Sequence, residues 1–152
     1  MPKWLNCVKK KGNEKKLIKN KAELLCYVAE HNITVIQMHL KNDVSLSMPS
    51  DDETHCYIGI DTKGLPENLT YTALLHETGH CETGSFYNQY SRFDIAAKKE
   101  YRANKWAAEH ALPKEALEQA AVEGYTEAWQ LAEYFGVTED FIRFAHAQYF
   151  GD

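Results

Sequence analysis

Residues 74–84 read Leu-Leu-His-Glu-Thr-Gly-His-Cys-Glu-Thr-Gly, with two histidines, His76 and His80, four positions apart. They fall inside a run, residues 67–83, that Pro66 and Glu67 can open and Gly84 can close as one helix. Residues four apart on a helix lie on one face, a turn above each other, so both imidazoles can aim at a single point. Leu69, Ala73, Leu74 and Leu75 are expected to bury this helix. Gly79 is out of place, because glycine in a helix interior costs about 1 kcal/mol relative to alanine. Close approach of another backbone is the expected compensation.

The rest of the chain must be built around that helix. Residues 14–31 carry Leu17, Ile18, Leu24, Leu25 and Val28 at helical spacing and predict an amphipathic helix ended by Asn32. The period then changes: residues 33–40 are β-branched, 44–48 alternate with period two, and 55–61 alternate again after a turn-rich stretch. Three short strands result, the last two paired as a hairpin. Residues 85–94 read as an aromatic loop, 95–112 as an alanine-rich helix stopped by Pro113, which opens another helix. Two more helices follow, broken at Gly136-Val137-Thr138. Helix, small sheet, then helices is an α+β order. At 152 residues the chain reads as one domain, 1–152, with a core over 1–112 and a C-terminal helical subregion over 113–152.

A net charge of −5 gives no overall attraction to nucleic acid or anionic lipid. The early lysines (Lys9, Lys10, Lys11, Lys15, Lys16, Lys19 and Lys21) are interleaved with Asn and Glu, lack stacking aromatics, and read as a solvated face. No apolar run suggests a signal peptide or a membrane span, so a cytoplasmic protein is expected. Cys7, Cys26, Cys56 and Cys81 show no C-x-x-C spacing and are expected to be free thiols, Cys81 a buried one.

The His76–His80 pair has a chemistry. Zinc takes imidazole nitrogens at about 2.0–2.1 Å, and a catalytic site keeps one tetrahedral position open for water. Glu77, beside the first histidine, is placed to take a proton from that water. H-E-x-x-H is the arrangement of zinc metallopeptidases. A third ligand is needed, and Glu100 on the following helix is a candidate; the alternative is a solvated acid in "KKEYR". Ala103, Asn104, Ala107 and Ala111 share its face, and their small side chains would let this helix approach Gly79. Asn104 could orient a ligand histidine from behind.

With both helices in view, "HETGH" (76–80) and "EYRANKWAAEHALP" (100–113) resemble the ImmA/IrrE family of metallopeptidases. The resemblance covers most of the chain and implies a minimal zincin-like fold with Zn2+ held by His76, His80 and Glu100, and Glu77 as general base. The Glu100–Asn104 spacing also resembles the E-x-x-x-D helix of thermolysin-like zincins. Arg102, Trp106 and "HALP" depart from the family's usual second glutamate, Phe and "LLMP". Known members cleave helix-turn-helix repressors of phages, mobile elements or stress responses, so a protein substrate of that class is implied.

An extended substrate segment could pair with a sheet edge, with 44–48 or 55–61 as that edge. Tyr87, Tyr90, Tyr101 and His110 could stabilise an oxyanion, and none is singled out; His31, His39, His55 and His146 lack ligand spacing. Residues 126–145 have a helix-turn-helix outline, but the second helix begins Thr138-Glu139-Asp140, which phosphate repels, so a packing or docking unit is expected over direct DNA binding. Two readings compete with an endopeptidase: a metal-keeping protein that sequesters a repressor without turnover, and a DNA-binding regulator.

Overall fold

The computed structural model of the protein describes residues 16–151; Cys7, Lys9, Lys10, Lys11 and Lys15 lie outside them. The chain runs α1 (Lys21–Glu30), β1 (Ile33–Gln37), β2 (Ser45–Pro49), β3 (Cys56–Ile60), α2 (Glu67–Thr83), α3 (Phe93–Ala111), α4 (Lys114–Val122), α5 (Ala128–Phe135) and α6 (Glu139–Phe150). This is the α+β order read from the sequence.

α1 starts later than its periodicity suggests. Asn20 caps it, its side chain accepting from the Glu23 amide at 2.9 Å, while Glu23 accepts from the Lys19 amide at 2.9 Å. These two side-chain bonds fix the helix start there. Residues 16–19 are not helical; Ile18 is buried and its amide donates to the His110 carbonyl at the end of α3.

The sheet has the order β1-β3-β2, with β3 central, parallel to β1 and antiparallel to β2, so the expected hairpin forms. Ile33, Ile58 and Ile60 face the core, whereas Ile36, Met48 and Tyr57 are exposed on the opposite face. β2 is an edge strand, and α2 packs across β2 and β3. That packing brings Cys56 and Cys81 within bridging range, Cα to Cα 5.9 Å, and they form a disulfide. Cys26 is disulfide-bonded as well. The expectation of free thiols is thereby corrected, and the Cys81 sulfur is committed to the sheet.

α2 begins after Pro66 and ends at Gly84, which takes the left-handed conformation (φ 61°) that glycine adopts at low cost. α3 begins two residues earlier than expected, at Phe93, shortening the aromatic loop. Against it, α2 lies backbone to backbone at one place: a Cβ on Gly79 would run into the Ala103 carbonyl. Ala103, Ala107 and Ala108 are fully buried there. Leu74 and Leu75 enter the core as expected, but Leu69 and Ala73 are only half-buried. α6 covers α3, and the Thr138 amide at its start donates to Thr72 Oγ1 of α2 at 3.1 Å.

Gly79→Ala tests the close approach. Alanine is the better helix former, yet overpacking against a backbone should destabilise the protein by about 1–3 kcal/mol, read as a lower urea midpoint. An unchanged or higher midpoint would show that the helices are free to separate.

Candidate metal centre

Two helices and one turn build the centre. α2 delivers His76 and His80 on one face, and the Gly79–Ala103 contact draws α3 close enough for Glu100 to reach both rings. His76 Nε2 lies 3.0 Å from Glu100 Oε2, His80 Nε2 lies 3.1 Å from Glu100 Oε1, and the two Nε2 atoms are 3.0 Å apart. Ligands at 2.0 Å around a tetrahedral ion stand about 3.3 Å from one another, so the spacing fits a small cation at their centre.

The outer nitrogens decide what the inner ones can be. His76 Nδ1 donates to Asn104 Oδ1 at 2.8 Å, and His80 Nδ1 donates to the Ser85 carbonyl at 2.5 Å. Both partners are carbonyl oxygens and only accept, so each Nδ1 carries a proton. In the neutral imidazoles both Nε2 atoms therefore present lone pairs, facing each other and a carboxylate. Three such acceptors converge only around a cation. Burial opposes a charge on His76, but the Glu100 carboxylate outweighs it and raises the pKa above 6.5. The His76 and His80 rings facing it, with a hydrogen bond from Tyr87, hold the Glu100 carboxyl well below the usual carboxylate range. A proton on His76 can supply the positive charge, and a divalent ion can replace it. His76, His80 and Glu100 could thus hold a metal.

The cluster lines one side of an open cleft of about 320 Å³ whose other side is β2, through Ser45, Leu46 and Ser47. Glu77 faces the same cleft and is only 7 % exposed; Ser45 Oγ donates to its Oε1 at 2.8 Å. Tyr87 closes the rim, its hydroxyl donating to Glu100 Oε1 at 2.8 Å, a bond that pushes the phenol up to about 12. Of the four oxyanion candidates, Tyr87 alone lines this cleft: Tyr90 is exposed, Tyr101 donates to Gln148, and His110 stacks on Trp106. His31, His39 and His55 bond to the Tyr27 carbonyl, Asp61 and Thr34, and His146 lies against Phe150, all outside the cleft.

Sequence reasoning missed two contributors. Ser45 reaches Glu77 only because β2 lies along α2, a register no local pattern records. The Ser85 carbonyl is turned onto His80 by the left-handed Gly84, and that glycine was the available signal.

The family profile Peptidase_M78, described as IrrE N-terminal-like domain, matches residues 28–145 and so takes in every residue of this cleft. No curated protein and no solved structure gives a significant match.

Two outcomes follow from the proton–metal exchange. Zinc affinity, measured by chelator competition, should fall by about tenfold per pH unit below the raised His76 pKa and level off above it. Without metal the sign reverses: a pKa raised above 6.5 in the folded state contributes stability below 6.5 that is lost as pH rises through the folded value. Asn104→Ala, which frees the His76 ring, should weaken zinc binding about 10–100-fold; unaltered affinity would show that Asn104 does not orient it.

Proposed function

The chain belongs to the IrrE N-terminal-like peptidase family, and from that premise we propose that it is a zinc-dependent endopeptidase that cleaves a helix-turn-helix transcriptional repressor. The observation that carries the hydrolase reading is the convergence of His76, His80 and Glu100 beside a buried carboxylate, Glu77, in one cleft.

In this reading His76, His80 and Glu100 hold the metal, with Asn104 and the Ser85 carbonyl fixing the rings. A zinc ion held there would supply Lewis acidity for the scissile carbonyl and for a water. Ser45 occupies Glu77 Oε1, which leaves Oε2 to take the proton of the attacking water and deliver it to the leaving nitrogen. Tyr87 turns its hydroxyl from Glu100 toward the developing oxyanion. A substrate segment in extended form pairs with the outer edge of β2, the strand that walls the cleft. The repressor as substrate rests on the family resemblance, and cleavage of such a repressor would take place in the cytoplasm.

α6 weighs against a DNA-reading role. Its first turn carries Glu139 and Asp140, and the backbone before it is bonded to Thr72 on α2. No described helix is long and apolar enough to cross a membrane.

Glu77→Gln keeps the size of the side chain and the acceptor for Ser45 but removes the base. It should retain stoichiometric zinc while slowing cleavage of a co-encoded helix-turn-helix repressor about 10²–10⁴-fold. If this variant still relieved repression as well as the parent chain, the protein would act by sequestration and the hydrolase reading would fail.

A further inference from the structure

α5 turns Leu131 and Ala132 into the core, and its opposite face carries Trp129, Gln130, Glu133 and Tyr134. With Tyr125, from the turn after α4, these four residues line an open concavity of about 360 Å³ that shares no residue with the metal cleft. The fold leaves its rings uncovered: Trp129 is 55 % exposed and Tyr134 47 %. The concavity is also held in shape. The Tyr125 and Tyr134 rings lie 4.6 Å apart, the Tyr134 hydroxyl donates to Glu123 Oε2 at 3.2 Å, and Gln130 Oε1 accepts from the Glu127 amide at 3.0 Å. Charge around it is one-sided. The stretch from Glu115 to Ile142 contains seven carboxylates and no lysine, arginine or histidine. Toward its two ends the acids are compensated within their own helices, Glu118 by Lys114 and Glu139 by Arg143. Glu123, Glu127 and Glu133, the three at the rings, have no ion-pair partner among the described residues. The Glu123 charge also pushes the Tyr134 phenol above its ordinary pKa.

We propose that this concavity is a docking surface, outside the metal cleft, for an arginine-rich segment of a partner protein. Two interactions select the occupant. Three uncompensated carboxylates attract a cation and repel an acidic segment, and they repel the phosphates of nucleic acid or lipid for the same reason. The faces of Trp129, Tyr125 and Tyr134 attract a cation through their ring quadrupoles. A guanidinium satisfies both at once, because it is planar, stacks on a ring, and keeps N–H donors at its edge for Glu123 or Glu133. A lysine ammonium is more strongly hydrated and makes no such stack, so it ranks second. Capture here does not require cleavage. The identity of the partner does rest on the function proposed above: a repressor must carry lysines and arginines to neutralise DNA phosphates, and that basic surface is the segment this patch would grasp, at a distance from the bond presented to the metal centre.

The test measures capture apart from catalysis. The full chain is titrated with N-acetyl peptide amides in which arginine, lysine or glutamate alternates with glycine, followed by calorimetry and by the indole N–H signals in NMR. The arginine peptide should bind most tightly, the lysine peptide less so and the glutamate peptide not at all, with the Trp129 indole shifting and the Trp106 indole unmoved. Trp129→Ala, at an exposed position, should weaken the arginine peptide about two- to fivefold. Glu123→Gln with Glu133→Gln should weaken it too and flatten its dependence on salt. Adding zinc should leave the affinity unchanged. Equal affinities for the arginine and glutamate peptides, binding indifferent to Trp129→Ala, or displacement of the peptide by zinc, which would put it in the metal cleft, would each overturn the docking surface. Incubation with a helix-turn-helix repressor separates the two ideas. Cleavage by a chain that shows no arginine capture sinks the docking surface alone, and capture through Trp129 without cleavage sinks the hydrolase reading alone.

Discussion

The backbone contact between Gly79 and Ala103 sets the distance on which everything in the cleft depends. Any side chain at position 79 would hold α3 away from α2, and Glu100, which lies on α3 one turn before Ala103, would be withdrawn from the histidines with it. The conformational cost of a mid-helix glycine is therefore repaid in position: one missing Cβ lets a carboxylate from a second helix come within 3.1 Å of both imidazoles. Ala107 and Ala108 continue the same close packing, which keeps the helices in register along the shared face.

Given that distance, electrostatics completes the arrangement. Each imidazole has its outer nitrogen fixed by a carbonyl oxygen from a different source: a side chain on α3 for His76, and the turn after α2 for His80. Two unlike supports reach the same result, which is a pair of inward lone pairs whose tautomers are set before any ligand arrives. Assembling such a cluster costs stability unless a cation occupies it. Burial opposes the charged form of His76, and the Glu100 carboxylate favours it more strongly.

Much of this was legible in the sequence, and the residues explain which parts. α2 could be bounded to the residue because Pro66 and Gly84 punctuate it, and the histidine spacing needs only helical geometry to make sense. The closeness of α3 was legible in Gly79 together with the alanines. What the sequence did not disclose depends on contacts between elements. The start of α1 moved because Asn20 caps the Glu23 amide and Glu23 caps the Lys19 amide, a local signal that the longer apolar periodicity obscured. The Cys56–Cys81 bridge spans 25 residues of sequence and exists only because α2 lies across β3. Ser45 meets Glu77 for a related reason, since β2 pairs antiparallel with β3 and so lies alongside α2. Period-two alternation in 44–48 said that serines share a face and could not say what that face would meet.

The C-terminal helices show how the same local text can serve a different end. Gly136 turns the chain between α5 and α6 with a left-handed conformation (φ 68°), and Thr138 caps the helix that follows, as in a helix-turn-helix. In a DNA reader the start of the second helix is free to enter a groove and carries donors or positive charge. Here it is bonded to α2 through Thr72, is acidic, and buries Phe141 and Ile142. The turn therefore acts mechanically, setting the angle at which α6 returns over α3 and delivering Phe141 and Phe144 to within one cavity's width of His76. A unit whose outline suggests recognition of nucleic acid thus becomes, through one hydrogen bond and two acidic residues, a wall of the cavity beside the cleft.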